Sequence, residues 1–447
     1  MITSLHHGDS PRDALGEVNM DMEFSRRGPL RGELTVPADK SISHRAVILG
    51  GLAQGESLVR NLSQGEDVKS TIRCMRQFEV DITEEQGVTR IRSNGFTGLT
   101  EPGDVLDCGN SGTTMRLLSG VAAARPFLTV LTGDNSLRQR PMARVVEPLT
   151  MMGSNIFGRH NSRFAPLVIR GGGLRAIEYH LKVASAQVKS AILLAALDTE
   201  GETVIRETSP TRDHTERMLR EMGGRLELKE GEIRLRGPSE LHPMEWTIPG
   251  DISSAAFWMV AAAIVPGSEI MVRDVGVNPT RTGILPIMQK MGAEIHLQNQ
   301  RTAGGEPVAD LLVRHSGLNP VEIKGNIIPT LIDEIPILAV AMALADGISV
   351  VRDATELRAK ESDRIAMITS FLNRMGVQTE EKADGFVVCG KGHIPGGARV
   401  SSGGDHRIAM ASAVAGLASE RPVAVDGFDC VGISYPTFLE DLGNLRE

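Results

Sequence analysis

Residues 36–62 read VPADKSISHRAVILGGLAQGESLVRNL, and the order of residue types along them decides the fold. A short polar turn runs into an apolar stretch in which Ile42, Ala46, Leu49 and Ala53 recur at helical spacing, so one side of a helix is suited to packing. Ser41 and Arg45, four residues apart, share the neighbouring polar face near the helix start. Gly55 then centres a turn, and the chain continues as a strand. The same succession returns at 107–123 (DCGNSGTTMRLLSGVAA), 183–208 (VASAQVKSAILLAALDTEGETVIRET), 248–275 (IPGDISSAAFWMVAAAIVPGSEIMVRDV), 328–354 (IPTLIDEIPILAVAMALADGISVVRDA) and 403–428 (GGDHRIAMASAVAGLASERPVAVDGF). The chain is thus a unit of about 70 residues used six times. A second, amphipathic helix follows the strand and ends near a Met–Gly pair; Gly153, Gly223, Gly292 and Gly376 stand where a left-handed residue stops such a helix.

The halves mirror each other. Pro37, Asp39 and Gly55 reappear as Pro249, Asp251 and Gly267 at one constant offset. Three units therefore make one domain, with helices inside and sheets outside, an α/β architecture. The chain crosses between halves near Val36–Asp39 and Ile248–Asp251. The expected domains are 28–38 plus 250–447, and 39–249. Residues 1–27 form an extension with no assigned role, in which Met20 or Met22 could serve as an alternative start.

A length of 447 residues with 41% apolar composition suits two domains. Tyr and Trp number two each, so the cores rest on Leu, Ile, Val, Ala and Met. A net charge of -8 offers no global attraction to nucleic acid or acidic membrane, so an anionic ligand needs a local cluster of Lys and Arg. Cys74, Cys108, Cys389 and Cys430 lie far apart without a metal or CxxC pattern and suit a reducing compartment. Residues 1–27 lack a signal-like apolar run, and Ala255–Val265 is too short to span a bilayer, so a soluble cytoplasmic protein is expected.

Ten motifs follow in order: DKSISHRA, CGNSGTTMRLL, RPMARV, ASAQVKS, TRDHTERML, PGDISSAAF, NPTRTG, IDEIP, KESDRIAM and DHRIAM. Together they resemble the motif series of the 5-enolpyruvylshikimate-3-phosphate synthases (3-phosphoshikimate 1-carboxyvinyltransferases), in forms similar to the bacterial class II branch. The resemblance runs from Gly28 to Glu447. It implies a two-domain enolpyruvyl transferase fold, an inside-out α/β barrel of three βαβαββ units per domain, with the active site in the cleft between domains. It also implies transfer of the enolpyruvyl group of phosphoenolpyruvate to the 5-hydroxyl of shikimate 3-phosphate, without metal or cofactor. A monomer is expected, and its halves are expected to close around shikimate 3-phosphate because the motif cations come from both. Ile433, in VGISYP, stands where class I members place a ligand-binding lysine, and class II members lack it too.

Both substrates are phosphorylated carboxylates, and about five negative charges in a partly dry site are costly without cations. At an effective dielectric of 20, a unit charge pair 4 Å apart is worth roughly 4 kcal/mol, so a few converging cations offset that cost. By resemblance Lys40, Gly112, Arg140, Gln187, Arg364 and Arg407 contact phosphoenolpyruvate. Lys40, Ser41, Arg45, Ser185, Ala186, Gln187, Arg212, Asp333 and Lys360 contact shikimate 3-phosphate. Gly109-Asn110-Ser111-Gly112-Thr113 opens a helix, and its glycines allow backbone N–H groups close to an anion. Lys40, Ser41 and Ser185 also stand at helix starts, where the dipole favours phosphate.

Acid–base work requires carboxyls. Asp333 lies among apolar residues in IDEIP, and the resemblance gives it the 5-hydroxyl proton. Glu361, three residues before Arg364, is expected on one helical face with it. The resemblance gives Glu361 proton transfer at the methylene carbon, with Lys40 and Lys360 assisting. His406 in DHR lacks partners at metal-ligand spacing. Glyphosate is a candidate inhibitor: Gly112 leaves space where tolerant relatives carry alanine, whereas Leu117 points to tolerance. Two other readings are weighed. A transferase acting on UDP-N-acetylglucosamine would carry a reactive cysteine loop not recognisable here. A non-catalytic anion binder would not need Asp333, Glu361 and Lys40 together.

Overall fold

A computed structural model describes residues 21–446. They divide into two compact units. Unit I holds 21–37, 250–300 and 309–446, and unit II holds 38–249 and 301–308. Residues 301–308 lie at the turn of the hairpin Glu294–Ala303 and Glu306–Arg314. They group with unit II, although the sequence limits assign them with the rest of 250–447.

Six core helices carry the repeats: α1 (Lys40–Leu52), α2 (Gly112–Ala124) and α3 (Ala186–Ala196) in unit II, and α4 (Ile252–Ile264), α5 (Ile335–Leu344) and α6 (His406–Ala418) in unit I. All residues of α4 are buried, and so is every residue of α1 from Ile42 to Leu52. The single packing side expected for α1 is therefore corrected. A helix that forms the innermost layer is covered all round, and polar residues such as His44 and Arg45 must find partners inside. Helices α2 and α3 approach closely at Gly120, where a Cβ would stand 2.2 Å from the carbonyl oxygen of Ala191.

Each unit II sheet has four strands, one parallel pair followed by two antiparallel pairings. In the second repeat, Leu106–Asp107 pairs in parallel with Leu128–Thr132, which pairs antiparallel with Phe164–Arg170, which pairs antiparallel with Asn155–Gly158. The parallel step is the one that crosses over α2, and the antiparallel ones are short connections, as strand geometry requires. Burial alternates along these strands, leaving one sheet face to solvent and one to the helices.

Unit I repeats the plan with two four-stranded sheets and one of three strands. The smaller sheet takes Met22–Phe24 antiparallel to Val423–Asp426. Met22 and Phe24 are buried, and Gly416 of α6 lets Phe24 sit close, since a Cβ there would fall 2.8 Å from the Phe24 Cβ. Part of the segment without an assigned role is thus structural; residues 1–20 of that segment, including Met20, lie outside the described residues.

The crossings close each unit with a strand from a distant part of the chain. Arg31–Thr35 pairs in parallel with Glu269–Gly276, and Glu245–Thr247 with Gln54–Arg60. The Asp39 N–H donates to the Pro249 carbonyl (2.7 Å), and the Asp251 N–H to that of Pro37 (2.9 Å). Asp39 and Asp251 then cap α1 and α4 by accepting from the N–H groups of Ile42 and Ser253. Ser111, Ser185 and Asp405 cap α2, α3 and α6 in the same way. Gly153, Gly223, Gly292 and Gly376 take φ of +113°, +86°, +97° and +87° just after their helices, as the left-handed stop demands. Among the described residues no single helix is long and apolar enough to cross a membrane; the bent pair Gly325–Leu331 and Ile335–Leu344 passes by length and composition, and the second of these is buried in unit I.

Candidate active site

In unit II, capping places the motif residues at helix starts. Lys40 is the first residue of α1, and its Nζ lies 2.8 Å from Oδ2 of Asp67, in the first turn of the helix Glu66–Gln77. The Ser41 carbonyl accepts from Arg45 Nη1 (2.8 Å). Arg45 is buried, with Nε on Thr215 Oγ1 (2.7 Å) and Nη2 on Ser190 Oγ (2.8 Å). Burial lowers its pKa to about 10, opposed by the carboxylates of Glu216 and Asp39 and reinforced by the charge of Arg212. The Arg212 charge is thus felt at Arg45.

At the starts of α2 and α3 the side chains interlock. Arg116 Nη1 donates to Gln187 Oε1, and Gln187 Nε2 donates to Thr113 Oγ1 (2.9 Å). Arg140 Nη2 donates to Asn110 Oδ1 (2.6 Å) in the Gly109–Thr113 turn. A Cβ on Gly112 would stand 3.3 Å from Arg116 Nη1 and 3.7 Å from Arg140 Nη1, so Gly112 faces two guanidinium groups. Ser185 caps α3 and Ala186 opens it. Beneath lies a buried hydroxyl chain: His44 Nδ1 with Thr71 Oγ1 (2.6 Å), Thr71 with Thr114 Oγ1 (2.7 Å), and Thr114 with Ser111 Oγ (2.8 Å). It ties α1, α2 and the helix Glu66–Gln77 together.

In unit I, one buried guanidinium organises the site. Arg364 is 1% exposed. Its Nε donates to Asp405 Oδ2 (2.9 Å), Nη1 to Asp333 Oδ1 (3.2 Å) and Nη2 to Glu361 Oε2 (2.6 Å). Lys360 Nζ reaches the same Asp333 oxygen at 3.1 Å, and Arg407 Nη1 donates to the Asp333 carbonyl at 3.2 Å. Burial alone would lower the Arg364 pKa, but Asp405, Glu361 and Asp333 together raise it, so it stays charged. Burial pushes Asp405 up, and Arg364 overrides that and holds its carboxyl below the usual range.

One expectation fails in detail. Glu361 is not on a helical face with Arg364, because the helix begins at Arg364 and is capped by Asp363, which accepts from the Ala366 N–H. Glu361 reaches the guanidinium from the preceding turn instead. Asp67, Arg116 and Asp405 were missed as partners of Lys40, Gln187 and Arg364. Asp405 had a signal in its place immediately before an apolar helix, and Arg116 one in its motif. Asp67 had none beyond its own helix start.

A family model described as EPSP synthase (3-phosphoshikimate 1-carboxyvinyltransferase) matches residues 25–442. The chain belongs to this family. The 3-phosphoshikimate 1-carboxyvinyltransferase of Syntrophomonas wolfei is 54% identical over 417 residues, 93% of this chain and 97% of the relative. Among solved structures, an EPSP synthase from Acinetobacter baumannii matches with a TM-score of 0.85 and 42% identity, covering 95% of this chain and 98% of that one. The enolpyruvyl transferase NikO from Streptomyces tendae shares the fold, with a TM-score of 0.75 at 16% identity and coverage of 95% and 96%. The EPSP synthase family fold, α/β with three repeats in each half, is the one seen here.

Proposed function

We propose that the protein transfers the enolpyruvyl group of phosphoenolpyruvate to the 5-hydroxyl of shikimate 3-phosphate, releasing phosphate by addition and elimination through a tetrahedral intermediate. Membership of the EPSP synthase family supports the reaction. The observation that carries the roles is that two carboxyls, Asp333 and Glu361, share the guanidinium of Arg364.

In this reading Asp333 takes the 5-hydroxyl proton as the oxygen attacks the central carbon of phosphoenolpyruvate. Glu361 delivers a proton to the methylene carbon, with Lys40 and Lys360 stabilising the charge. It then removes a proton from the resulting methyl group as the carbon–phosphate oxygen bond breaks. Arg140, Arg364 and Arg407, with Lys40, Gly112 and Gln187, bind phosphoenolpyruvate. Ser41, Arg45, Ser185, Ala186, Gln187 and Arg212, with Lys40, Asp333 and Lys360, bind shikimate 3-phosphate. The position of Lys40, Gly112 and Ala186 at the starts of α1, α2 and α3, where the dipole and open N–H groups favour anions, supports phosphate binding by these residues. Offering phosphoenolpyruvate with either shikimate 3-phosphate or UDP-N-acetylglucosamine tests the reading. An enolpyruvyl ether should form only with the first, and a product with the second would contradict it.

The setting is proposed to be a cytoplasmic monomer: light scattering of the purified protein tests the monomer, and fractionation of cells tests the compartment. Glyphosate is proposed to compete with phosphoenolpyruvate near Gly112, and a dose series at several phosphoenolpyruvate concentrations decides it.

A further inference from the structure

Arg212 stands in the loop between the strand Gly201–Arg206 and the helix His214–Glu221, and a buried lysine that the mechanism above does not use grips that loop near both ends. Lys189, in the motif ASAQVKS of α3, is 1% exposed. Its Nζ lies 2.5 Å from Oε1 of Glu216 and 3.1 Å from Oε1 of Glu207, and it donates to the Thr211 carbonyl at 3.4 Å. An ammonium has three N–H groups, and these three oxygens take all of them. Glu207 opens the loop and Thr211 directly precedes Arg212. The Thr211 hydroxyl closes the neck of the loop by donating to the same Glu207 oxygen (2.6 Å). Glu216 lies in the first turn of the helix that follows. Beside it, Ser190 Oγ and Thr215 Oγ1 lie 2.7 Å apart and both accept from Arg45, so α3 and His214–Glu221 are joined twice.

We infer that Lys189 is a positioning residue that sets where Arg212 stands, and through it the affinity for shikimate 3-phosphate. The inference rests on the proposal that Arg212 binds this substrate. Residues 207–213 form neither helix nor strand, so no backbone ladder holds them in place. The Thr211 carbonyl shares one planar peptide unit with the Arg212 nitrogen, so an anchor on the first restrains the second. Tying that carbonyl and the Glu207 carboxylate to α3 fixes Arg212 relative to Ser185, Ala186 and Gln187 at the start of the same helix. A buried ammonium is costly to desolvate, and an apolar side chain would fill the same place in α3 without that cost. What the ammonium adds is the hold on the loop.

The test uses the full-length protein and compares Lys189→Met, Arg212→Ala and the two combined, by steady-state kinetics and by calorimetric titration with shikimate 3-phosphate. Lys189→Met should raise the KM for shikimate 3-phosphate about tenfold while that for phosphoenolpyruvate stays within about twofold and kcat within about threefold, the pattern of binding lost equally before and in the transition state. Because the effect passes through Arg212, adding Lys189→Met to Arg212→Ala should weaken shikimate 3-phosphate no further. Lys189→Met leaves Glu216 buried without its cation, so Lys189→Met with Glu216→Gln is measured beside it. That pair should melt closer to the unaltered protein and show the same rise of about tenfold. A general packing defect would instead raise both KM values and add to the loss in Arg212→Ala. Either of those results, or an unchanged KM for shikimate 3-phosphate, would overturn the inference, while weakened binding in Arg212→Ala leaves the role of Arg212 standing. Undiminished binding of shikimate 3-phosphate in Arg212→Ala would overturn both.

Discussion

Glu361 meets Arg364 at 2.6 Å from outside the helix that Arg364 begins. They stand three positions apart, yet helical spacing does not make the contact; Glu361 lies in the segment before the helix and accepts from Arg364 Nη2. Because Arg364 also holds Asp333 and Asp405, the position of Glu361 is fixed by a buried cation and not by a surface pair.

From this arrangement, Glu361→Gln should keep the fold and the hydrogen bond to Arg364 while losing proton transfer. Steady-state assays should show turnover reduced at least about a hundredfold, the usual range for a general acid–base group. Near-normal turnover would remove Glu361 from the chemistry.

Much of this was legible in the chain. The six starts, the matching crossings around Pro37 and Pro249 and the four helix-ending glycines follow from local chemistry that repeats, so they survive translation into structure. What was not legible depends on tertiary partners. Whether Arg45 is solvated or buried turns on Thr215 and Ser190, far away in sequence. The strand Met22–Phe24 has no motif of its own and is held by its partner Val423–Asp426. The turn at 301–308 packs with unit II through contacts such as Glu306 with His214 Nδ1 (2.7 Å), which no periodicity announces.

Gly120→Ala should destabilise unit II. The added Cβ would meet backbone, at 2.2 Å from the Ala191 oxygen, so α2 and α3 must separate. Overpacking of this kind costs about 1–3 kcal/mol, and a thermal melt should show a transition several degrees lower. An unchanged melting temperature would contradict the close approach.

His44 should make stability depend on pH. Burial lowers its pKa from 6.5 to about 3, with Asp67 opposing and Lys40 and Arg45 assisting. The unfolded chain binds a proton below about pH 6.5 that the folded chain refuses, so the stabilisation is complete above that pH and is lost as pH falls toward 3. The slope is about 1.4 kcal/mol per pH unit for one proton. Urea unfolding between pH 7 and pH 4 should show that slope reduced by about one proton in His44→Gln. Equal slopes in the two proteins would contradict it.

Gly112→Ala should act through cations more than through packing. Its Cβ would press on Arg116 Nη1 at 3.3 Å and approach Arg140 Nη1 at 3.7 Å, and both are ends of flexible side chains that give way. Stability should change little, whereas the KM for phosphoenolpyruvate should rise about fivefold or more with that for shikimate 3-phosphate nearly constant, since about 1 kcal/mol of lost contact suffices. A larger effect on the shikimate 3-phosphate KM would contradict the division of the site.

The central claim is that acidic metabolites are joined by carboxyls held on a buried arginine, and one assay reaches it most directly. Phosphate release from phosphoenolpyruvate is followed with and without shikimate 3-phosphate, in the unaltered protein and in Asp333→Asn. Release should require the acceptor, match the enolpyruvyl ether formed one for one, and fall at least about a hundredfold in the variant. Release without acceptor, no release at all, or full activity in Asp333→Asn would contradict it.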